Sequence, residues 1–335
     1  MTGTLSPTQS RVLVEAPGRL HLGFLDLHGG LGRTFGSVGL ALESIATAVA
    51  AQHAAADSVS GPESERALDC LVRVKEALRL RGGVALTVDR AIPSHAGLGS
   101  GTQMALAVGT AVTRLYGIEM PPRETASLLD RGARSGIGIG AFEQGGFLLD
   151  GGRGRRDAPP PVVSRLPFPE AWRAVLVFDA EHEGLHGKAE SGAFGSLPQF
   201  PEAAAARLCR IMLMQALPAL AEEDLSRFGA AIGELQRVVG DHFAPAQGGR
   251  YASPRVAEAL ALFQSAGAAC IGQSSWGPTG FALADSRETA EALVRLARGR
   301  VPAAFGLDYM ICAGRNRGAE VRSEAPAAQR RRRMH

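Results

Sequence analysis

The sequence predicts an α+β protein with two lobes, and three observations support this prediction. Strand and helix patterns follow one another along 335 residues without the regular alternation of a parallel α/β sheet. A segment rich in Gly, Arg and Pro at 151–169 is typical of a loop and marks the lobe boundary. A glycine-rich loop at 93–101 leads into an apolar helical pattern. The predicted parts are an N-terminal lobe at 11–167, a C-terminal lobe at 168–318, and disordered tails at 1–10 and 319–335.

The first lobe is predicted from hydrophobic periodicity. Strands are indicated by apolar runs or alternation, and helices by apolar residues three or four positions apart. Glycine-rich segments separate these patterns. The predicted elements are strands at 11–16, 20–27 and 38–52, a helix at 65–81, a strand at 84–88, helices at 104–115 and 122–135, and a strand at 147–149.

The second lobe is predicted in the same way, and no internal repeat is visible. It opens with a buried strand at 174–178, followed by a polar loop with two histidines. A second glycine loop lies between its last two predicted strands. The predicted elements are helices at 202–217, 222–240 and 253–266, strands at 268–271 and 281–284, and the loop at 272–280.

Composition excludes several classes of protein. Net charge is only +3 and aromatic residues make up 5% of the chain, which disfavours a nucleic-acid surface. No apolar run reaches the roughly 18 residues of a membrane span, and 1–10 lacks the pattern of a signal peptide. Four cysteines without metal-ligand spacing indicate reduced thiols in a cytoplasmic protein. The partners expected are therefore small molecules, with no nucleic acid and no membrane.

The loop at 93–101, the central loop, precedes the helix predicted at 104–115 and has the composition of a phosphate cradle. Glycines let the backbone approach an anion closely, and the helix start offers N–H groups and a positive dipole end. An ordinary strand-to-helix turn is the alternative interpretation, but it does not explain so many polar groups. The predicted phosphate-binding residues are Ser94, His95, Gly97, Gly99, Ser100, Gly101, Thr102 and Gln103.

Three motifs in a fixed order resemble the GHMP kinase superfamily. They are Ala16-Pro-Gly-Arg-Leu-His, Pro93-x-x-x-Gly-Leu-Gly-Ser-Gly and Gly272-x-Ser-x-x-Gly-Pro-Thr-Gly. The resemblance covers about residues 11 to 315. It implies a first lobe with a left-handed βαβ unit, a ferredoxin-like second lobe, and a polyphosphate on the central loop. It adds four substrate-binding residues from the outer motifs: Arg19, His21, Ser274 and Ser275. A structural role remains the alternative for His21 and His95.

Three departures weaken the prediction of an ATP-dependent kinase. The loop continues as Gly101-Thr102-Gln103, His21 stands where the kinases usually have Asn, and Glu143 takes the place that resembles their catalytic Asp. Segments at 19–27, 32–39, 134–147 and 184–190 instead resemble the β-ribofuranosylaminobenzene 5′-phosphate synthase family. A small-molecule kinase and an inert ligand-binding relative remain the alternatives.

The resemblance implies a reaction between 5-phosphoribosyl 1-pyrophosphate and 4-aminobenzoate. The products would be a C-riboside, CO2 and pyrophosphate, formed during tetrahydromethanopterin biosynthesis. Mg²⁺ or Mn²⁺ would assist loss of pyrophosphate, and no organic cofactor is needed because leaving CO2 restores the aromatic ring. The resemblance also implies a homodimer.

Three residues are predicted to act in the chemistry. Asp26 could bind Mg²⁺ or stabilise an oxocarbenium-like ribose, and Arg33 could hold a phosphate or the benzoate. The alternative for both is a surface ion pair. Glu143 could be a base or a metal ligand, with a helix-capping carboxylate as the alternative.

The polar loop after the first strand of the second lobe permits two interpretations. His182 and His186 have the i,i+4 spacing of metal ligands, with Glu183 between them. Glycines at 184 and 187 argue against the helix that a zinc site of this type needs. A substrate loop in which His186 and Lys188 contact phosphate is therefore preferred over zinc.

Overall fold

The computed structural model describes residues 11–155, 158–182, 184, 192 and 197–324, and its strands form two sheets. Seven strands form the sheet of the N-terminal lobe in the order β11-β1-β2-β4-β3, with β5 on β2 and β6 on β5. Four strands form the second sheet in the order β10-β7-β9-β8. The bounds are β1 Arg11–Asp26, β2 Phe35–Ala54, β3 Ser58–Ser60, β4 Gly83–Arg90, β5 Phe147–Asp150, β6 Val162–Leu166, β7 Arg173–Asp179, β8 Cys270–Gln273, β9 Gly280–Ala284, β10 Leu307–Cys312 and β11 Glu320–Glu324.

The helices cover the faces of these two sheets. A π-helical turn at Met212–Ala216 connects α5 to α6, and a short 3₁₀ turn lies at Ala303–Phe305. The bounds are α1 Ser64–Leu78, α2 Ser100–Leu115, α3 Pro122–Leu128, α4 Ile137–Glu143, α5 Glu202–Ile211, α6 Leu217–Ala221, α7 Leu225–Gln247, α8 Pro254–Ser265 and α9 Arg287–Arg300.

The N-terminal lobe is organised by the long hairpin of β1 and β2. The sequence predicted two separate strands at 11–16 and 20–27, whereas β1 is continuous. The pairing register of β1 with β2 shifts between Pro17 and Arg19 and again between His21 and Gly23. Irregularities of this kind accommodate an extra residue and bend the strand without ending it. Pro17–Gly18 therefore marks a bend, and β2 runs unbroken from Phe35 to Ala54.

Helix α2 is the central helix of this lobe, and most of its residues are buried, including polar Gln103 and Thr113. An all-round buried helix needs an apolar sequence, which the run from Met104 to Leu115 supplies. Beside it, β3, α1 and β4 form the expected βαβ unit, because β3 and β4 pair in parallel. The predicted helix at 122–135 is shorter than expected. It ends at Leu128, and α4 begins nine residues later, in a glycine-rich stretch for which no helix was predicted.

The second sheet has the strand order of a ferredoxin-like lobe. Taken along the chain, β7, β8, β9 and β10 are strands one to four, and they lie in the order four-one-three-two with every pair antiparallel. Helix α9 was not predicted, although its buried residues Ala290, Leu293, Val294 and Ala297 have helical spacing. It begins at Ser286, whose side chain accepts a hydrogen bond from the Thr289 N–H.

The chain returns to the first sheet after β10. The Ala313 carbonyl accepts a hydrogen bond from the Glu43 N–H, the Ala41 carbonyl accepts one from the Arg315 N–H, and β11 pairs with β1. The expectation of a disordered tail from 319 is therefore wrong for 319–324. The sequence concealed this strand because its pairing partner lies some 300 residues earlier.

Within the described residues, one helical stretch has the length and hydropathy that crossing a membrane would require. It runs from Glu202 to Ala221, with a mean hydropathy of 1.3 over its most apolar window. Several of its side chains, including Leu208, Ile211 and Leu220, belong to the hydrophobic core that β1 and α7 share. A helix of this kind in the core of a folded lobe is weak support for a membrane span.

Candidate functional site

The central loop ends at Gly99, whose backbone is in the left-handed region and which immediately precedes α2. Gly99 has φ 87° and is the N-cap, a conformation that disfavours any side chain. Within the part of the chain that the structure describes, no side chain caps this helix. Its first turn holds no acidic residue, so the N–H groups there keep their positive potential. This end of α2 therefore offers backbone donors to an anion, and the phosphate cradle predicted from the sequence stays a prediction.

Two arginines lie against the start of α2, and the sequence analysis named only one. A Cβ added to Gly99 would lie 3.4 Å from the side chain of Arg19, which also donates a 2.5 Å hydrogen bond to the Gly97 carbonyl. A Cβ added to Gly101 would lie 3.5 Å from Nη1 of Arg131, whose buried Nε has no hydrogen-bond partner among the described residues. Two guanidinium groups beside one helix N-terminus would attract a polyphosphate. Arg131 was missed because it lies in a connecting segment outside the three motifs.

The two glycine loops pack against each other. A Cβ on Gly97 would overlap the Ser274 carbonyl oxygen, and one on Gly277 would overlap the backbone of Ala96. The Ser274 hydroxyl accepts a hydrogen bond from the His21 N–H at 3.0 Å and donates one to the Gly97 carbonyl at 2.7 Å. Gly97 and Ser274 therefore join the lobes through close packing, whereas Gly99 borders the anion site.

The other predicted cradle residues lie in two places: some are in the first turn of α2, and the others are in the loop before it. Ser100 begins the helix, and Thr102 and Gln103 face Gly138 of α4, to whose carbonyl Gln103 donates a 2.7 Å hydrogen bond. Ser94 accepts a hydrogen bond from Arg66, and His95 has φ 57°. Both border a 540 Å³ cavity between the loop and the second sheet.

Asp26 and Arg33 border one cavity at the tip of the β1–β2 hairpin. Oδ1 of Asp26 accepts hydrogen bonds from the N–H groups of His28 and Gly29, so this oxygen stabilises the turn. Arg33 is exposed and donates to the carbonyl oxygens of Gly151 and Gly152 at 2.5 and 2.6 Å. Among the described residues, neither side chain forms the surface ion pair that was the alternative. The cavity measures 410 Å³, and its apolar walls include Leu25, Leu149, Val163, Met212, Leu213 and Leu217.

Glu143 ends α4, at the opposite end of the helix from the central loop. The seven residues of α4 span about 10 Å. The carbonyl oxygen of Glu143 lies against Gly318, while Gly138 at the start of α4 faces Thr102 and Gln103. Burial raises the pKa of the Glu143 carboxyl, and the charge of Arg123 opposes this shift. The role of Glu143 as a base or a metal ligand stays a prediction.

Asp150 is a buried carboxylate that the sequence analysis did not name. Its oxygens accept hydrogen bonds from the N–H groups of Ser37, Gly136 and Gly152 and from the Ser135 hydroxyl. Burial raises its pKa, and these backbone donors act in the opposite direction. Asp150 thereby fixes the start of α4 to the sheet. A single aspartate at a strand end gives no signal of this role in a sequence.

Whether the described residues can bind a metal ion depends mainly on Asp26. No cluster of three His, Cys, Asp or Glu side chains that could hold a metal exists among the described residues. Mg²⁺ commonly binds one or two carboxylates together with substrate phosphates, so Asp26 with a pyrophosphate fits that ion. Glu183, His186 and Lys188, on which the zinc and phosphate-loop interpretations rested, lie outside the described residues; His182 borders the 540 Å³ cavity.

Comparisons with known proteins identify the family. The model of the GHMP kinase N-terminal domain matches residues 65–146, and the model of the GHMP kinase C-terminal domain matches 216–299. A protein of Archaeoglobus fulgidus named β-ribofuranosylphenol 5′-phosphate synthase is 32% identical over 92% of this chain and 98% of its own length. The chain belongs to this synthase family. A relative of the same name in Methanothermobacter thermautotrophicus is 31% identical over 92% of this chain and 98% of its own length.

Solved structures confirm the two-lobed fold of the synthase family. Homoserine kinase from Cytophaga hutchinsonii superposes with a TM-score of 0.67 at 20% identity, covering 96% of this chain and all of that one. Mevalonate diphosphate decarboxylase from Staphylococcus aureus gives 0.65 at 15% identity, covering 94% and 98%. At these identities the likeness concerns the fold alone, which is the GHMP fold predicted from the three motifs.

Proposed function

We propose that this chain is a β-ribofuranosyl-arene 5′-phosphate synthase, which joins phosphoribosyl pyrophosphate to a para-substituted benzoate. The observation that carries the proposal is the 32% identity over almost the full length of a synthase of that type. The glycine-capped helix flanked by Arg19 and Arg131 supports it, because the donor carries a pyrophosphate. A homodimer and a cytoplasmic location, both expected from the sequence, are parts of the same proposal.

In the proposed reaction, bonds break and form at ribose C1 and at one ring carbon of the acceptor. The bond from ribose C1 to the pyrophosphate oxygen breaks, and a C1–carbon bond forms to the ring carbon that bears the carboxylate. The bond to that carboxylate then breaks, CO2 leaves, and its electron pair restores the aromatic ring. Arg19, Arg131 and the N–H groups of α2 would hold the departing pyrophosphate, and Asp26 would stabilise the positive charge that develops on the ribose. Mg²⁺, when bound, would help neutralise the pyrophosphate.

The acceptor is proposed to be 4-hydroxybenzoate. The name of the archaeal relatives specifies a phenol, whereas the motif resemblance implied 4-aminobenzoate. Either para substituent donates electrons to the ring carbon that is attacked. The 410 Å³ cavity beside Asp26 and Arg33 supports an aromatic acceptor, because its walls are largely apolar and its volume exceeds that of a benzene ring.

The deciding assay supplies the protein with Mg²⁺, phosphoribosyl pyrophosphate and carboxyl-labelled 4-hydroxybenzoate. We expect labelled CO2 and pyrophosphate in equal amounts, with slower release from 4-aminobenzoate. EDTA should abolish the reaction. The proposal fails if neither acid releases CO2, and transfer of the γ-phosphate of ATP to a small molecule would favour a kinase instead.

The acceptor cavity can be tested separately by alkylation. Cys209 borders this cavity and is exposed, whereas Cys70, Cys270 and Cys312 are buried. We expect 4-hydroxybenzoate to slow the reaction of Cys209 with a maleimide, and Cys209→Ser provides the unlabelled control. An unchanged labelling rate at saturating acceptor would place the ring elsewhere.

A further inference from the structure

His21 is a buried imidazole whose two ring nitrogens have no hydrogen-bond partner in the part of the chain that the structure describes. Its ring touches Phe24 edge-on, with 4.7 Å between the centroids. A buried polar group without a partner costs stability, so such a group is usually satisfied by water or by a ligand. His21 was assigned to substrate binding from its motif alone, and its surroundings indicate which part of a substrate it would contact.

The imidazole borders a small cavity at the junction of the two lobes. The cavity measures 30 Å³, which is enough for one water or one hydroxyl group but not for a ring or a phosphate. It lies next to the central loop, because the backbone of His21 is hydrogen-bonded to the Ser274 hydroxyl and the Ser275 N–H, and Ser274 is bonded to Gly97.

The side-chain amides and the guanidinium group around the cavity already have partners. Gln236 donates to the carbonyls of Leu22 and Gln273 and accepts from the Gln273 N–H. The Gln273 amide accepts from the Ala252 N–H and donates to Gln247 and Ser275. Arg250 is paired with Asp241 at 2.7 Å. The two ring nitrogens of His21 therefore border a cavity whose other polar lining consists of neutral amides, one neutralised arginine, Ser275 and the indole of Trp276.

We propose that His21 is a specificity-determining residue that hydrogen-bonds a ribose hydroxyl of the donor substrate. A neutral imidazole has one donor and one acceptor, which match the acceptor and donor of a hydroxyl group. Burial, and secondarily the charge of Arg19, lower the pKa of His21 to about 3, so the ring is neutral at physiological pH. A neutral ring surrounded by neutral amides suits a hydroxyl better than a phosphate or a carboxylate. This assignment rests on the proposed function.

The test compares the affinity of the protein for donors with and without the 2-hydroxyl or the 3-hydroxyl of the ribose. The Kd values of phosphoribosyl pyrophosphate and of its 2-deoxy and 3-deoxy analogues are measured by calorimetry with Mg²⁺ present. The parent should prefer the natural donor over one analogue by about tenfold or more. His21→Phe keeps the ring shape but removes both nitrogens, so this preference should disappear. His21→Asn retains a donor and an acceptor and should restore part of the preference, and it carries the test if His21→Phe does not fold.

If His21 had only a structural role, His21→Phe would weaken binding of the natural donor and of its analogue equally. The preference would then remain intact, and that result would overturn the proposal. The proposal would also be overturned if His21→Phe kept the ribose preference and instead lost a preference for 4-hydroxybenzoate over benzoate. His53→Phe, at an exposed position on β2, should behave as the parent does. If the parent itself binds no phosphoribosyl pyrophosphate, the proposed function fails, and that outcome is distinct from an unchanged preference in the variant.

Discussion

Asp26 and Arg33 combine a local structural role with a position on the candidate acceptor cavity. Asp26→Asn keeps the carbonyl oxygen that accepts from His28 and Gly29 but removes the charge. Turnover should fall about a hundred- to thousandfold, as expected for loss of one electrostatic stabiliser in a site. Arg33→Lys cannot bond both glycine carbonyls with a planar fork, so acceptor affinity should fall together with rate.

The measurements for this pair are steady-state kinetics and thermal unfolding. Melting temperatures should move by only a few degrees, because Asp26 and Arg33 lie at a hairpin tip outside the core. Near-parental turnover in both variants would remove them from the chemical site. A loss of activity that tracks early unfolding would make their role structural.

Arg131 should act on the pyrophosphate of the donor. Arg131→Gln removes a guanidinium next to Gly101, so pyrophosphate and donor affinity should each fall about tenfold, while acceptor affinity stays unchanged. Arg114→Gln is the matched control, because Arg114 lies at the other end of α2 and pairs with exposed Glu119. Equal losses in the two variants would show a general charge effect in place of a specific contact.

The pH dependence of stability should contain a contribution from His21. Its folded pKa of about 3 lies below its ordinary value of 6.5, so between these values the unfolded chain binds a proton that the folded chain does not. This contribution is fully present above about pH 6.5 and is lost as pH falls. Between pH 8 and pH 5 the parent should lose about 2 kcal/mol more unfolding free energy than His21→Phe. Denaturant unfolding at both pH values measures this difference, and parallel losses would mean that the ring protonates in the folded state.

At the scale of elements, the start of α2 depends on the conformation of its capping glycine. Gly99 and Gly117 precede and follow the helix with φ 87° and 70°, and either Gly→Ala substitution should cost about 1–2 kcal/mol of stability. A Cβ at Gly99 would also crowd Arg19, whereas nothing lies within 4 Å of one at Gly117. Donor binding, measured by calorimetry, should therefore fall in Gly99→Ala alone. Unchanged binding in that variant would contradict the phosphate cradle.

At the scale of the whole molecule, a buried arginine fixes the end of the chain to its beginning. The side chain of Arg315 is 1% exposed and lies 2.9 Å from Glu15, 3.7 Å from Glu43 and 3.6 Å from Glu320. Arg315→Met would leave these carboxylates without their shared partner. Because the three glutamates are about one-third exposed, we expect the lower end of the usual cost, about 3 kcal/mol of unfolding free energy.

The control for Arg315 is a surface arginine that pairs with one of the same glutamates. Arg322 contacts Glu320 but is 74% exposed, so Arg322→Met should cost less than about 1 kcal/mol. Denaturant unfolding of both variants gives the comparison. Similar costs would mean that the Arg315 cluster is solvated and contributes no more than a surface pair.

The sequence by itself determined the fold class and the family. Three glycine motifs in order, with the residue types between them, predicted the GHMP fold, and the family models and solved structures confirm it. Glycine carries this signal because positive φ and close backbone approach tolerate few alternatives at Gly97 and Gly99. Apolar periodicity likewise placed β4, α2 and β7 close to their observed bounds, because burial repeats with the period of each element.

Only the tertiary structure decided which polar residues share a site. Arg131 reaches the start of α2, Asp150 holds α4 to the sheet, and β11 pairs with β1 through contacts between distant parts of the chain. Glu143 was predicted to be a base or a metal ligand, and only the structure shows that it is the last residue of α4. The imidazole of His21 is buried beside a cavity that no local pattern could reveal. Local periodicity specifies elements, whereas the site depends on how elements far apart in sequence pack together.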